Sequence, residues 1–139
     1  LRYKAKGMTM NTFTVQTKQR RDAVNLTDTI NSAMGIEDGV CHITAKHTTC
    51  AVTVNEGSDQ NVLNDVHRKL DDLIPARDGY KHDRVDGNAD AHIKASIIGC
   101  TASLPVTDGE LDLGTWQSVF LLEFDGGRQR TVQITTIQE

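Results

Sequence analysis

The chain has 139 residues, a length that predicts one domain large enough to build a core without disulfide or metal staples. Its 37% hydrophobic and 24% charged residues are those of an ordinary globular protein, and no run of about 18 uncharged apolar residues offers a transmembrane helix. Fifteen basic against nineteen acidic residues give a net charge of −4, which argues against a phosphate-coating nucleic-acid binder but leaves room for a local basic pocket.

The opening LRYKAKGM, with Met8 and Met10 inside the chain, reads as a tag or flexible N-terminus over residues 1–10, ahead of a domain over 11–139. Thr12–Thr17 alternates Phe13 and Val15 with polar residues, the period of a strand. Arg20–Asp22 reads as a hairpin-type connection, so that Ala23–Leu26 pairs back on that strand. Thr27 is expected to cap a short helix to Met34, which Gly35 stops. Val40 to Val54 is rich in β-formers and predicts two strands with a break near His47–Thr49. The clearest helix runs from Ser58 to Leu73, where Val62, Leu63, Val66, Leu70, Leu73 and Ile74 form one stripe and Pro75 forbids continuation.

Residues 75–87 are polar and aperiodic, with turn signals at Asp78-Gly79 and Asp86-Gly87. A loop of that length in a small domain is usually functional. Asn88 then reads as the N-cap of a helix to Ile98, with Ile93 and Ile97 inward and Gly99 at its end. Strands follow at Thr101–Val106, Leu111–Leu113, Gln117–Glu123 and Arg130–Ile137. Strand pairs alternating with helices, closed by a run of strands, predict an α+β fold with a mixed or largely antiparallel sheet. The three cysteines, Cys41, Cys50 and Cys100, are sparse and odd in number. With no secretory pattern they predict reduced thiols and a cytoplasmic protein.

Three histidines come from three different segments: His47 at the strand break, His82 in the long loop, His92 in the first turn of the following helix. Neutral imidazoles from such elements can form a three-nitrogen metal site with an open fourth position. Their spacing matches no compact zinc signature, and the alternative is three unrelated histidines. His42 and His67 read as structural or solvent-facing. Asn55-Glu56-Gly57 precedes the long helix, where the helix dipole keeps a carboxylate ionised and suits it to act on a bound water; helix capping is the plainer role. The same choice holds for Asp90. Leu113-Gly114-Thr115-Trp116-Gln117 carries the only tryptophan. Asp125–Arg130 is a turn with two arginines whose planar forks suit phosphate or carboxylate, and Thr48 and Thr49 add hydroxyls. No GxxxxGK[ST], GxGxxG or GxSxG motif is present.

Taken in order, His47–Glu56, Tyr80-Lys81-His82, Gly87–Lys94 with Gly99, Leu104–Val106, Asp108-Gly109, Leu113–Gln117, Glu123, Asp125-Gly126, Arg128 and Arg130 resemble the YjbQ-like family, over about Thr12 to Val132. Many of its members carry the label secondary thiamine-phosphate synthase. The resemblance implies a compact α+β domain with a β-sandwich-like core and two main helices, assembled as a homotrimer. It also implies a cleft near a subunit boundary that holds His47, His82 and His92. On this reading these three are the ligands of a divalent metal, zinc or similar. Glu56 and His92 are the catalytic residues, and Thr48, Asn55, Asn88, Gln117 and Arg128 contact a small anionic or phosphorylated metabolite. Neither a nucleic acid nor a membrane is an expected partner. Gly127 stands where the family more often has proline, which loosens the turn before Arg128. Cys50 stands where alanine is common, which favours packing over ligation.

Two activities follow from the resemblance. One joins an aminopyrimidine diphosphate to a thiazole phosphate with loss of pyrophosphate, a step needing cations around the leaving diphosphate. The other is a metal-dependent hydrolase, in which Glu56 orients or deprotonates a metal-bound water, or a non-catalytic trimeric protein using the same pocket for a metabolite or metal.

Overall fold

The computed structural model describes residues 7–139, so the first six residues of the expected tag lie outside the described residues. Met8–Met10, the last of that stretch, are paired in the first strand. Eight strands, β1 (Met8–Gln16), β2 (Asp22–Asn25), β3 (Gly39–Ala45), β4 (Cys50–Glu56), β5 (Thr101–Thr107), β6 (Glu110–Leu111), β7 (Gln117–Glu123) and β8 (Gln129–Gln138), form two antiparallel sheets. One sheet has the order β1-β8-β3-β5-β6 and the other β2-β7-β4. With helices α1 (Thr27–Ala33), α2 (Asn61–Leu73) and α3 (Ala89–Ile98), this is the expected α+β class. Among the described residues no helix is long and apolar enough to cross a membrane.

The layers follow from residue patterning. β7 is apolar at every inner position because both its faces are covered, as in other doubly buried strands. Val119 and Leu121 join Ile43, Cys50, Val52, Val132 and Ile134 between the sheets, while Phe120 and Leu122 pack with Leu63, Ala91 and Ala95 of the helices. The five-stranded sheet has only one buried face and alternates accordingly.

Several sequence expectations change. Asp22–Asn25 pairs with β7, not with β1, because residues 17–21 carry the chain across to the other sheet. Thr27 does not cap its helix; its hydroxyl accepts the Val119 N–H at 2.9 Å, and Asn25 Oδ1 accepts the Thr27 N–H. The long helix starts at Asn61 rather than Ser58, and Leu73 and Ile97 are exposed instead of inward. His67, expected at the edge of the stripe, is buried.

Three sheet-to-sheet crossings, at residues 17–21, 46–49 and 124–128, meet at one end of the sandwich. A buried ion pair ties them. Arg130 Nε donates to Glu123 Oε1 at 2.7 Å, its Nη2 pairs with Glu123 Oε2, and the same nitrogen reaches Thr49 Oγ1 at 2.8 Å. Glu123 also accepts from the Thr17 hydroxyl and the Phe124 and Asp125 amides. Removing one member of a buried pair strands the other charge, at a cost of about 3–5 kcal/mol. Glu123→Leu is therefore expected to lower unfolding stability by that amount in a urea titration; a change below about 1 kcal/mol would show that the three crossings do not depend on the pair.

Candidate functional site

The crossing between β3 and β4 carries His47, and α3 begins beside it, so the local site grows out of the sandwich corner. His47 Nε2 accepts the Thr131 N–H at 2.8 Å. Burial, reinforced by the Arg130 charge, lowers the His47 pKa from its ordinary value, so the ring is neutral near pH 7. A neutral imidazole that accepts at Nε2 carries its proton on Nδ1. His47 thus has no lone pair left for a metal and presents an N–H donor.

His92 lies in the first turn of α3, and His82 in a single 3₁₀ turn, Lys81–Arg84. Their rings meet edge to face, centroids 4.8 Å apart and nearly perpendicular. His82 Nε2 stands 3.8 Å from Asp86 Oδ2. The fold therefore brings His82 and His92 ring to ring, while His47, which lines cavities with His92, is engaged by the β8 backbone. Among the described residues no group of three or more His, Cys, Asp or Glu side chains is gathered closely enough to hold a metal within the chain. The three-imidazole centre does not fit this arrangement, and the reason is the Thr131 amide on His47.

A three-lobed cleft surrounds His92. One lobe of about 410 Å³ is lined by His47, Thr48, Asn88, Asp125 and Arg128, with Lys46 at its edge. A second, about 380 Å³, adds Cys50 and Cys100 to His47, Thr48 and His92. The third, about 400 Å³, lies between Tyr80, His82 and Ile93. Of the expected contacts, Thr48, Asn88 and Arg128 are there.

Asn88 occupies the N-cap position, yet its side chain does not cap. Its Nδ2 donates to Asp125 Oδ2 at 2.8 Å, and the Ala89 amide is taken instead by Asp83 Oδ1. Asn88 Oδ1 is buried with no partner. Arg128 spends one edge on Asp125, donating from Nε to the carbonyl and from Nη2 to Oδ2, and its remaining N–H groups are free in a half-exposed side chain. Asp125 was not expected in the site. Its place is set by its neighbour Glu123, a carboxylate at the end of an apolar strand, which is the signal a reader of the sequence could have used. Cys50 is buried in the core, and burial pushes its thiol pKa up to about 11.

Asn55, Glu56 and Gln117 are elsewhere. β4 enters the cleft at Cys50 and runs away from it, so Glu56, six residues on, lies about 20 Å along the strand. There it pairs with Gln117 of β7. Gln117 Oε1 accepts the Gly114 N–H and Asn55 Oδ1 the Glu56 N–H. Within one chain Glu56 cannot act on anything held by His92.

Beneath the cleft, fully buried Lys94 donates to Asp90 Oδ2 at 2.9 Å and to Asp71 Oδ1 at 2.6 Å, and Arg21 bonds both carboxylates. Burial opposes ionisation of Asp71 and Asp90, but the Lys94 and Arg21 contacts outweigh it and hold both carboxyls below their ordinary value. Asp90 is thus an internal strut for α3, a different task from the first-turn dipole contact expected of it.

Two features of titration have opposite chemistry but the same sign. His47 and His67 are lowered from 6.5 mainly by burial, so the unfolded chain binds protons first as pH falls. Their stabilising contribution is whole above 6.5 and is lost below it. Asp71 and Asp90 contribute above 3.8 and lose that contribution as pH drops through it. Urea midpoints are expected to hold above neutrality, fall on acidification through 6.5, and fall again through 3.8. His67→Gln, which keeps a donor for the Asp22 carbonyl, is expected to shrink the first fall.

Comparison with known proteins extends over nearly the whole chain. The family model described as UPF0047 protein YjbQ-like matches residues 11–139. A UPF0047 protein of Archaeoglobus fulgidus is 40% identical over 90% of this chain and 98% of its own. Among solved structures, a YbjQ-like protein of unknown function from Sulfolobus solfataricus superposes with a TM-score of 0.88 at 31% identity, covering 95% of this chain and 98% of that one. A hypothetical protein from Aeropyrum pernix gives a TM-score of 0.88 at 35% identity, covering 94% and 99%.

Proposed function

The chain belongs to the UPF0047 YjbQ-like family, and from the cleft around His92 we propose that it binds a small anionic or phosphorylated metabolite there. The observation that carries the reading is His47: fixed by Thr131 and neutral, it offers Nδ1–H as a donor without the desolvation cost of a buried charge. Thr48 supplies a hydroxyl, Lys46 and the free edge of Arg128 supply positive charge, and the unpartnered Asn88 Oδ1 accepts from a ligand hydroxyl or amine. Asp86 and Asp125 also line this cavity of about 410 Å³, but Asp125 is engaged by Asn88 and Arg128, and the donors and cations beside them suit an oxyanion.

Synthesis of thiamine phosphate, as the resemblance implies, requires stabilising a departing pyrophosphate. Lys46, His47 and Arg128 could hold that leaving group, and the proposal treats this turnover as a secondary capability of an anion site. A second reading places a divalent metal, zinc or similar, on His82 and His92, favoured by their ring contact. Two imidazoles are half of a tetrahedral set, so the remaining ligands would come from the metabolite or water.

The assembly belongs to the same proposal. On the outer face of the five-stranded sheet, rows Met8–Ile137–Val40–Pro105, Met10–Thr135–His42–Ser103 and Thr12–Gln133–Thr44–Thr101 contain no Lys, Arg, Asp or Glu. In a chain with 24% charged residues, about three of these twelve would be charged by composition alone. A charge-free sheet face supports burial against other copies, in a homotrimer.

Calorimetry with inorganic pyrophosphate tests the site. His47→Ala removes the Nδ1–H donor together with the Thr131 acceptor, and is expected to weaken binding at least tenfold, the value of one hydrogen bond to a charged group. Arg128→Ala is expected to weaken it and to abolish any thiamine-phosphate formation. Unchanged affinity in both variants overturns the anion reading. Metal content of tag-free protein that survives His47→Ala but disappears in His82→Ala and His92→Ala would favour the second reading. Native mass spectrometry is expected to give three subunits, and Thr135→Lys to give one.

A further inference from the structure

A cavity of about 480 Å³, larger than any lobe of the His92 cleft, lies where α2 crosses β2 and the far end of β4. It falls within the usual range for small-molecule pockets. Its floor is Leu63, Phe120 and Ala23, and its polar walls are Glu56, His67, Asn64 and Gln60. The Asn55-Glu56-Gly57 motif builds this rim. A Cβ on Gly57 would sit 2.1 Å from Ser118 Oγ, so only glycine lets the chain leave β4 tightly enough to set Glu56 beside α2.

The charges on this cavity are unequal. Arg21, its one cation, is spent on Asp71, Asp90 and the Phe124 carbonyl. The Asp22 carboxylate accepts the Lys18 and Ala23 amides. The Glu56 carboxylate has no hydrogen-bond or ion-pair partner among the described residues. His67, 8% exposed, donates from Nε2 to the Asp22 carbonyl, and its Nδ1 is buried with no partner. Burial lowers its pKa, so Nδ1 is a lone pair waiting for a donor.

We propose that this cavity is a second ligand site, separate from the anion cleft, for a small flat organic cation of the amidine or amine class. Glu56 pairs with the cationic N–H groups, Asn64 and Gln60 complete their hydrogen bonds, and the apolar body lies on Phe120 and Leu63. An anion is disfavoured there by the unpaired Glu56 and by Asp22.

Benzamidine, an amidinium on a flat ring, is the probe, and benzoate the control of opposite charge. Titrated into the full chain and followed by amide and histidine-ring nitrogen NMR, benzamidine is expected to saturate, shifting Gly57, Asn64 and Phe120 amides and moving the His67 Nδ1 resonance toward a hydrogen-bonded value. Benzoate is expected to leave these signals still. Glu56→Gln, a change at the half-buried rim that conserves shape, is expected to weaken binding at least tenfold. Asn64→Trp, on the solvent side of α2, is expected to block it by filling the mouth while leaving pyrophosphate binding at the His92 cleft unchanged. Absence of saturable binding, equal affinity in Glu56→Gln, or shifts confined to residues around His92 would each overturn the proposal, whatever the outcome for the anion site.

Discussion

The salt bridge between Glu123 and Arg130 is the contact on which the functional end of the molecule depends. Two sheets that share strands in alternation must exchange chain between them, and each crossing exposes backbone that neither sheet can satisfy. Here three crossings are placed together, and one carboxylate gathers their orphan donors: the Thr17 hydroxyl from the first, the Phe124 and Asp125 amides from the third, and Arg130, which reaches Thr49 of the second. A buried ion pair is a weak source of net stability compared with apolar packing of the same volume. Its contribution is geometric, because no apolar contact could fix three turns in one register. His47, Asp125 and Arg128 stand where they do because the turns that carry them converge on it.

The second buried network does for α3 what the first does for the turns. Lys94 and Asp90 are one helical turn apart, so they pair on the same face, and Arg21 and Asp71 bind that pair to the 17–21 crossing and to α2. Four charges, each with an opposite neighbour, anchor the N-terminal half of α3 at fixed rotation. That rotation turns His92 toward the cleft and leaves Ile97 in solvent. Hydrophobic patterning could not have fixed it, since apolar residues on this helix fall on more than one side.

Much of this was legible in the sequence. The alternation of Thr12–Thr17, the apolar run Val119–Leu122 within Gln117–Glu123 and the stripe on the long helix each identify an element, because burial imposes its period directly. Partnership was less legible. Asp22–Asn25 looks like the return arm of a hairpin, and only the packing of Ala23 against the helix layer, across a corner, gives it to the other sheet. The three histidines show the same limit. Residue type and place on turn, loop and helix single the three out, and His92 lines cavities with His47 on one side and His82 on the other. Whether an imidazole has a lone pair to give depends on a backbone amide 84 residues away, and no local pattern encodes that. Glu56 fails differently: its motif is adjacent in sequence to the HTTC segment, yet strand direction separates adjacent motifs by the length of the strand.

That separation sets the two proposed sites at opposite ends of one strand. β4 has His47 before its first residue and Glu56 as its last, and the strand holds these ends rigidly about 20 Å apart. At the first end Lys46, Arg128 and Arg130 stand with Asp86 and Asp125; at the second the carboxylates of Glu56 and Asp22 stand with Arg21 and a histidine with a bare acceptor. Screening lengths in physiological salt are about 8 Å, so neither end senses much of the other's field through solvent. The overall charge of −4 therefore describes neither end. The HTTC and NEG motifs lie at the two ends of one strand, joined by four residues, Ala51–Val54, whose side chains are given over to packing and sheet formation.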